Sequence, residues 1–204
     1  MKYPCTGVIL AGGLNSRFSG RNKALLEIGG KRILDRICDL FRELFAEIIL
    51  VTNDPFSCAD RDLLIVTDLF PVRSSLTGIH TGLFSATQEH VFFTACDAPF
   101  LKKEVVQTVL DHIDNRFDVT VPETAAGFEP LCAVYSKNCL DAVSRHLSRE
   151  EYKIRLLFRR LRVRTVGEKI LREKDPDLLS FFNVNTPEDW EKAVRLAGAA
   201  MPLH

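Results

Sequence analysis

The sequence predicts an α/β protein built in three layers, and three observations carry that prediction. Short apolar runs alternate with longer stretches in which apolar residues recur every three or four positions, the pattern of βαβ units. The first run, Val8-Ile9-Leu10, leads directly into the glycine pair Gly12-Gly13. A later run ends at Thr94-Ala95 and is followed two residues on by one carboxylate, Asp97. Helices on both faces of a sheet are the packing that such an alternation requires.

The elements follow in order. Residues 8–10 are a buried strand. Ile33, Leu34, Ile37, Cys38, Phe41, Leu44 and Phe45 fall on one face of an amphipathic helix. Strands are predicted over residues 47–52 and 63–67, a helix over 77–87 and a strand over 91–95. Pro99 precedes a helix at 102–113. Strands over 118–121 and 131–135 are joined by a glycine-containing excursion, and a helix covers 138–147. Residues 162–166 alternate as a strand does. Pro187 opens the last helix, with Thr186 as its N-cap.

Composition narrows the function classes. A chain of 204 residues can bury a substantial core in one domain, and it shows no repeat, linker or low-complexity tract. Lys+Arg and Asp+Glu balance at 27 each, so no bulk attraction to nucleic acid or to a membrane is implied. No apolar run approaches the roughly 20 residues that span a bilayer. Six cysteines are scattered without a CxxC pair, and no signal-peptide pattern precedes them. Reduced thiols in a cytoplasmic protein are the expectation.

Two places carry candidate chemistry. Leu10-Ala11-Gly12-Gly13 follows a strand, where glycines let backbone amides approach a phosphate, and Arg17 and Lys23 can supply opposing charge. The spacing is neither a Walker A loop nor GxGxxG. A structural turn with solvated basic residues is the alternative. Asp97 sits where an open parallel sheet gathers its ligands, and a hard oxygen ligand there suits Mg²⁺. Its alternative role is to cap the turn at Pro99.

The string from Gly7 to Lys31 contains LAGG, Ser16-Arg17, Gly20 and Lys23-Ala24-Leu25. It resembles the nucleotidyltransferase signature LAGG-x-S-x-R-M-G-x-D-K-x-L, and among its bearers the molybdenum cofactor guanylyltransferase (MobA) family. Phe18 stands for Met, Asn22 for Asp, and one extra residue separates Arg17 from Lys23. The resemblance implies a three-layer Rossmann-like nucleotidyltransferase fold with a mostly parallel central sheet, spanning residues 1–204 as one domain. It implies that the loop of Leu10, Ala11, Gly12 and Gly13 wraps a triphosphate touched by Lys23, with Arg17, Lys23 and Asp97 catalytic and Asp97 the metal ligand. Asn53, after Val51-Thr52, resembles an asparagine that helps read the base, and Asp68, after Val66-Thr67, a nucleotide-contacting aspartate. Turn initiation before Pro55 and Pro71 is the structural alternative for both.

Further segments resemble the family. Ser74-Ser75-Leu76-Thr77-Gly78 stands where the family usually has G-P-L-x-G, and the two serines can offer hydroxyls in place of Gly-Pro. Glu129-Pro130-Leu131 resembles a segment near the acceptor pocket. Asn183-Val184-Asn185-Thr186-Pro187-Glu188-Asp189 resembles NVNTPED, and alternation puts Asn183 and Asn185 on one face of an extended segment, able to bond a pterin or a metal's water. His80 reads as an ordinary helix residue. The implied reaction is transfer of GMP from GTP to molybdopterin with Mg²⁺ and release of pyrophosphate. Partner proteins that deliver the molybdenum cofactor, or molybdoenzymes that receive it, are implied as well.

Residues 153–164 carry Lys153, Arg155, Arg159, Arg160, Arg162 and Arg164 without one acid. With the interleaved apolar residues they read as an amphipathic helix with a cationic face, either solvated or serving an anionic substrate, a partner or RNA. The rival functions are a related cytidylyl- or sugar-phosphate nucleotidyltransferase, a nucleotide-binding regulatory module without chemistry, and an RNA-binding protein.

Overall fold

The computed structural model describes residues 2–12, 26–59, 61 and 63–199. Its central strand is β1 (Tyr3–Leu10), whose last six residues are all buried. A strand covered on both faces reads as a continuous apolar run rather than an alternating one, which is why Val8-Ile9-Leu10 is conspicuous. After it come a short hairpin of β2 (Glu27–Ile28) and β3 (Lys31–Arg32), then α1 (Ile33–Leu44) and β4 (Phe45–Val51). The hairpin turn is Gly29-Gly30, with φ of +59° and +73°, the two positive angles that a tight two-residue hairpin demands.

β5 (Leu64–Val66), α2 (Ser75–Ser85), β6 (His90–Ala95) and α3 (Lys103–Asp111) follow. The remaining elements are β7 (Val119–Thr124), β8 (Gly127–Phe128), β9 (Cys132–Ser136), α4 (Leu140–Ser148), α5 (Ile154–Phe158), β10 (Val163–Gly167), α6 (Glu168–Lys174) and α7 (Pro187–Ala199). The main sheet runs β10-β7-β9-β6-β1-β4-β5, with β8 paired to β7. The pairs β1–β4, β1–β6, β4–β5 and β7–β10 are parallel. β9 runs antiparallel between β6 and β7, and β8 folds back on β7, so the sheet is mostly parallel, as expected.

Alternate residues of the strands feed two apolar clusters, one per face. Cys5 and Ile9 join α1 and α3, with Leu171 of α6 and Ala193 of α7. Val8 and Leu10 join α2 and α4, with Leu157 and Phe158 of α5. These are the outer layers. α1 buries Ile33, Leu34, Ile37, Cys38, Phe41 and Leu44, the face its spacing predicts. Phe45 already belongs to β4, although its ring stays against Phe41, 4.8 Å between centroids. At α7 the Thr186 hydroxyl accepts from the Asp189 amide (3.2 Å), and the Asp189 carboxylate accepts from the Thr186 amide (2.9 Å). That reciprocal cap is the entry the sequence predicts.

One expectation is corrected. Residues 153–164 are not a single helix: α5 covers only Ile154–Phe158, and β10 begins at Val163. The reason is tertiary. Arg162 donates to both carboxylate oxygens of Asp118, and Val163 pairs with Val119, so the basic stretch divides between a short helix and a strand. α6 and the β2–β3 hairpin are not anticipated from the sequence.

Packing between the layers is close enough to forbid a methyl group at some places. A Cβ at Gly82 on α2 would lie 2.5 Å from Phe93 Cε1 and 2.9 Å from Val8 Cγ1. Phe93 is fully buried and held edge-on against Tyr135, so the ring has nowhere to go. Helix propensity alone would make Gly82→Ala stabilising by about 1 kcal/mol, whereas overpacking costs about 1–3 kcal/mol. Gly82→Ala should therefore lower the midpoint of urea unfolding without changing its slope, and an unchanged or higher midpoint would refute this account of the α2 interface.

Candidate active site

The strand order places a cleft before any side chain is considered. After β1 the chain adds β4 and β5 on one side, then crosses back to lay β6 on the other side of β1. Helices diverge at such a switch point and leave a crevice at the carboxyl ends of the strands. The ends are level. Leu10 pairs with Val51 on one side and Ala95 on the other, and Val51 pairs with Val66. The ladder continues past the strands: Ala11 N donates to Val51 O (2.8 Å), Thr52 N to Val66 O (2.9 Å) and Cys96 N to Leu10 O (3.0 Å).

Each candidate stretch is thus the continuation of one of four adjacent parallel strands. Leu10, Ala11 and Gly12 leave β1, Asn53 leaves β4, Asp68 leaves β5 and Asp97 leaves β6. Leu10, Ala11, Gly12, Asp68, Asp97 and Asn185 line a common cleft. Gly13, Arg17 and Lys23 lie outside the described residues.

Asn53 and Asp68 do not close their strands but follow them by two residues, β4 ending at Val51 and β5 at Val66. Their relation to each other is unequal. Asn53 Nδ2 donates to Asp68 Oδ2 at 2.7 Å, while Asp68, not Asn53, lines the cleft. Asn53 acts on the cleft by orienting Asp68. The backbone of Gly12 passes close by, since a Cβ there would meet Asn53 Nδ2 at 3.4 Å and Asp68 Oδ2 at 3.7 Å. Asp68 Oδ1 is buried and has no hydrogen-bond partner among the described residues. Burial pushes the Asp68 carboxyl above its ordinary pKa, against the smaller opposing effects of the Asn53 amide and the Arg73 charge.

Asp97 occupies the turn after β6, half-buried at the cleft wall. Its own carbonyl accepts from the Val184 amide at 2.8 Å. That bond carries the Asn183-Val184-Asn185 segment alongside Asp97. Val184 is buried, and its two neighbours are exposed. Asn185 reaches the cleft lining, whereas Asn183 is not part of it. The shared face predicted for the two asparagines therefore contributes one residue to the cleft of the described structure.

The opposite wall is the amino end of α2. Ser74 and Ser75 both line the cleft, but the Ser74 hydroxyl is committed to the helix, accepting from the Thr77 amide at 3.1 Å. It is an N-cap rather than a spare hydroxyl for a ligand. His80, one turn further on, turns away: it is buried, with Nε2 at 3.1 Å from Ser144 Oγ and the Phe70 ring 4.8 Å away. Sequence reasoning gives no positioning role to the residues that lock the Asp97 turn from below. Chief among them is the wholly buried Asp175, which announces itself only as the start of an Asp-Pro turn.

Among the described residues no helix is long and apolar enough to cross a membrane, and no three His, Cys, Asp or Glu side chains cluster as a ready-made metal cage. One carboxylate at the cleft wall, that of Asp97, is enough to fit a magnesium ion, which keeps several waters and takes other ligands from substrate phosphates.

Comparison with known proteins gives the family. The MobA-like NTP transferase domain matches residues 7–165. A molybdenum cofactor guanylyltransferase of Desulfosudis oleivorans is 47% identical over 188 residues, covering 92% of this chain and 93% of its own. A probable molybdenum cofactor guanylyltransferase of Natranaerobius thermophilus is 34% identical over 198 residues, covering 95% and 96%. Among solved structures, molybdopterin-guanine dinucleotide biosynthesis protein A of Archaeoglobus fulgidus has a TM-score of 0.84 at 26% identity, covering 95% of this chain and 99% of its own. With strand ends, cleft and sequence relatives in agreement, the chain belongs to the nucleotidyltransferase family of the MobA-like NTP transferase domain.

Proposed function

We propose that the chain is a molybdenum cofactor guanylyltransferase, which transfers GMP from GTP to the terminal phosphate of molybdopterin and releases pyrophosphate. The observation that carries the reading is that Gly12 and Asp97 open onto one cleft. A glycine bend able to approach phosphates and a carboxylate able to hold a divalent cation are both needed within reach of a single triphosphate.

The walls support guanine as the base. Guanine's pairing edge sets two donors, N1–H and N2–H₂, beside the acceptor O6. Asp68 offers a carboxylate, which only accepts. The amino end of α2 offers amides with no partner inside the helix, and it begins at Ser75 in the cleft lining. Cytosine's edge reverses the order, with an amino donor beside two acceptors, and would leave Asp68 poorly matched.

In the reaction the acceptor phosphate attacks the α-phosphorus in line. A phosphate monoester loses its second proton at a pKa of about 6, so it is a competent nucleophile near neutrality without a general base. Asp97 would hold Mg²⁺, and the bound ion supplies charge neutralisation on the transferring and leaving phosphate oxygens. The amides of Gly12 and Gly13, with Arg17 and Lys23, oppose the charge that grows on pyrophosphate. Asn185, the one of the two asparagines that lines the cleft, offers a donor and an acceptor for the pterin side. The same reading makes residues 1–204 one domain acting in the cytoplasm, where proteins that deliver or receive the molybdenum cofactor are its partners.

Two expected outcomes test this. With GTP, Mg²⁺ and molybdopterin, Asp97→Ala and Lys23→Ala should each lower turnover by about 10²–10³-fold while far-ultraviolet dichroism stays unchanged. Near-normal turnover in both would sink the mechanism, and tight GTP binding without pyrophosphate release in the parent would favour a regulatory module.

Asp68→Asn should reduce kcat/KM for GTP by about 10- to 100-fold, because a donor replaces the acceptor opposite guanine's amines. In a triphosphate panel CTP should be far less affected. The sign with pH follows from the burial of Asp68. Its carboxylate form, and with it GTP affinity, is present at high pH and lost on acidification, starting at a higher pH than for an exposed carboxylate. The Asp68→Asn variant should lack that limb of the profile, and a parent that prefers CTP or UTP would overturn the guanine assignment.

A further inference from the structure

Asp97 and Asn185 reach the cleft on two segments that are distant in the chain, and the structure shows what fastens them together. The first runs from Asp97 through Phe100 to Lys102, which immediately precedes α3. The second runs from the end of α6 through Asp175, Ser180 and Phe182 to Asn185. Near the cleft they share the bond from Val184 N to Asp97 O, and below it Phe100 packs on Phe182 with ring centroids 6.0 Å apart.

At the base lies Asp175, with no solvent exposure. One carboxylate oxygen, Oδ1, is 2.8 Å from Lys102 Nζ, and the other, Oδ2, accepts from the Ser180 amide at 2.7 Å. Ser180 Oγ in turn accepts from the Lys102 amide at 3.1 Å, which closes a ring of contacts. The backbone of Asp175 is tied on both sides, its amide to Leu171 O of α6 and its carbonyl to the Leu178 amide. Leu178 sits at φ +53°, a left-handed conformation that a leucine adopts only when its surroundings impose it. A buried carboxylate is strongly destabilising unless it is paired and hydrogen-bonded. Here the Ser180 amide compensates from within the Asn185 segment, and Lys102, through its ammonium on Asp175 and its amide on Ser180, joins the Asp97 segment to it.

We propose that Asp175 is a positioning residue for the transfer reaction: by clamping Lys102 and Ser180 it sets the distance between Asp97 and Asn185, and so the geometry in which metal and acceptor meet. The proposal rests on the guanylyltransferase reading for its kinetic consequence but not for its structural one. Asp175 is not part of the cleft lining. The base-reading wall, made by Asp68 and the amino end of α2, is carried by other elements, β5 and α2, and shares no hydrogen bond or ion pair with Asp175 among the described residues.

The test is Asp175→Asn in the full chain. Asparagine keeps the volume, but its amide nitrogen must face Lys102 or Ser180 N, both donors. By hydrogen exchange, residues 97–102 and 180–185 should exchange about tenfold faster, while β1 and β6 keep their protection. Kinetically, turnover should fall about 10- to 100-fold, as expected when reacting groups are displaced by around 1 Å. The Mg²⁺ concentration for half-activation should rise, with KM for GTP nearly unchanged. Adding Lys102→Gln should restore part of the turnover, because an amide pair regains donor–acceptor order. Ser180→Ala, which keeps the ion pair, should shift exchange and metal requirement in the same direction by less, and it serves should Asp175→Asn fold poorly. Protection lost evenly over the whole sheet, a KM for GTP that rises as much as turnover falls, or unchanged exchange at 97–102 and 180–185 in both variants would each overturn the proposal. Should the parent release no pyrophosphate, the reaction is wrong, and the exchange pattern still decides whether Asp175 is the clamp.

Discussion

The site depends on one constraint, the double parallel pairing of β1. Leu10 is level with Val51 and with Ala95 at once, and this brings the carboxyl ends of β4, β1 and β6 to a common height. A slip of one residue would exchange Val8 and Leu10 with Ile9 between the two faces. Each face has an apolar cluster shaped to one set: Ile9 meets α1, and Val8 and Leu10 meet α2. The cores therefore do more than stabilise the sheet. They fix the register, and the register decides that whatever follows Leu10, Val66 and Ala95 shares one rim.

The division between what was legible at that rim and what was not has a physical basis. Gly12, Asp68 and Asp97 could be read because each follows an apolar run, and an apolar run is a local signal of a buried strand. α1 was readable for the same reason, its six buried residues repeating at helical spacing. The stretch 153–164 misled because basic and apolar residues interleave in a way that suits a helix face or a strand. What decides it is Asp118, which accepts from the Arg162 backbone 44 positions away and starts β10 there. No window around Arg162 contains that information. Asn53 and Asp68 were both legible as candidates, but their order, one holding the other, depends on a 2.7 Å contact between different strands.

The same distinction separates Ser74 from Ser75. Sequence presented two adjacent hydroxyls where the family has Gly-Pro, as if either could meet a ligand. A helix that starts at Ser75 leaves its first amides without partners, and Ser74 is drawn into satisfying that of Thr77. The capping demand is met first because it is present whether or not a nucleotide is bound. What remains for the cleft is the helix end itself, a source of positive potential opposite the negative charge of Asp68.

A site with one carboxylate at the metal position, as proposed for Asp97, differs in kind from a preformed cage of several. Several buried carboxylates would repel one another without their cation, and some would be driven to hold protons instead. Asp97 avoids this. Asp68 is engaged by Asn53, and Asp175 by Lys102 and Ser180, so each of these two carboxylates has its own neutral or cationic company. On the proposed reading the triphosphate itself would complete the ligand set of a cation held by Asp97. Affinity for the cation would then reside largely in the substrate, with the protein contributing the position of one carboxylate. On that reading the bonds around Asp97, from the Val184 amide down to the Asp175 clamp, matter through its placement rather than through the number of acidic groups nearby.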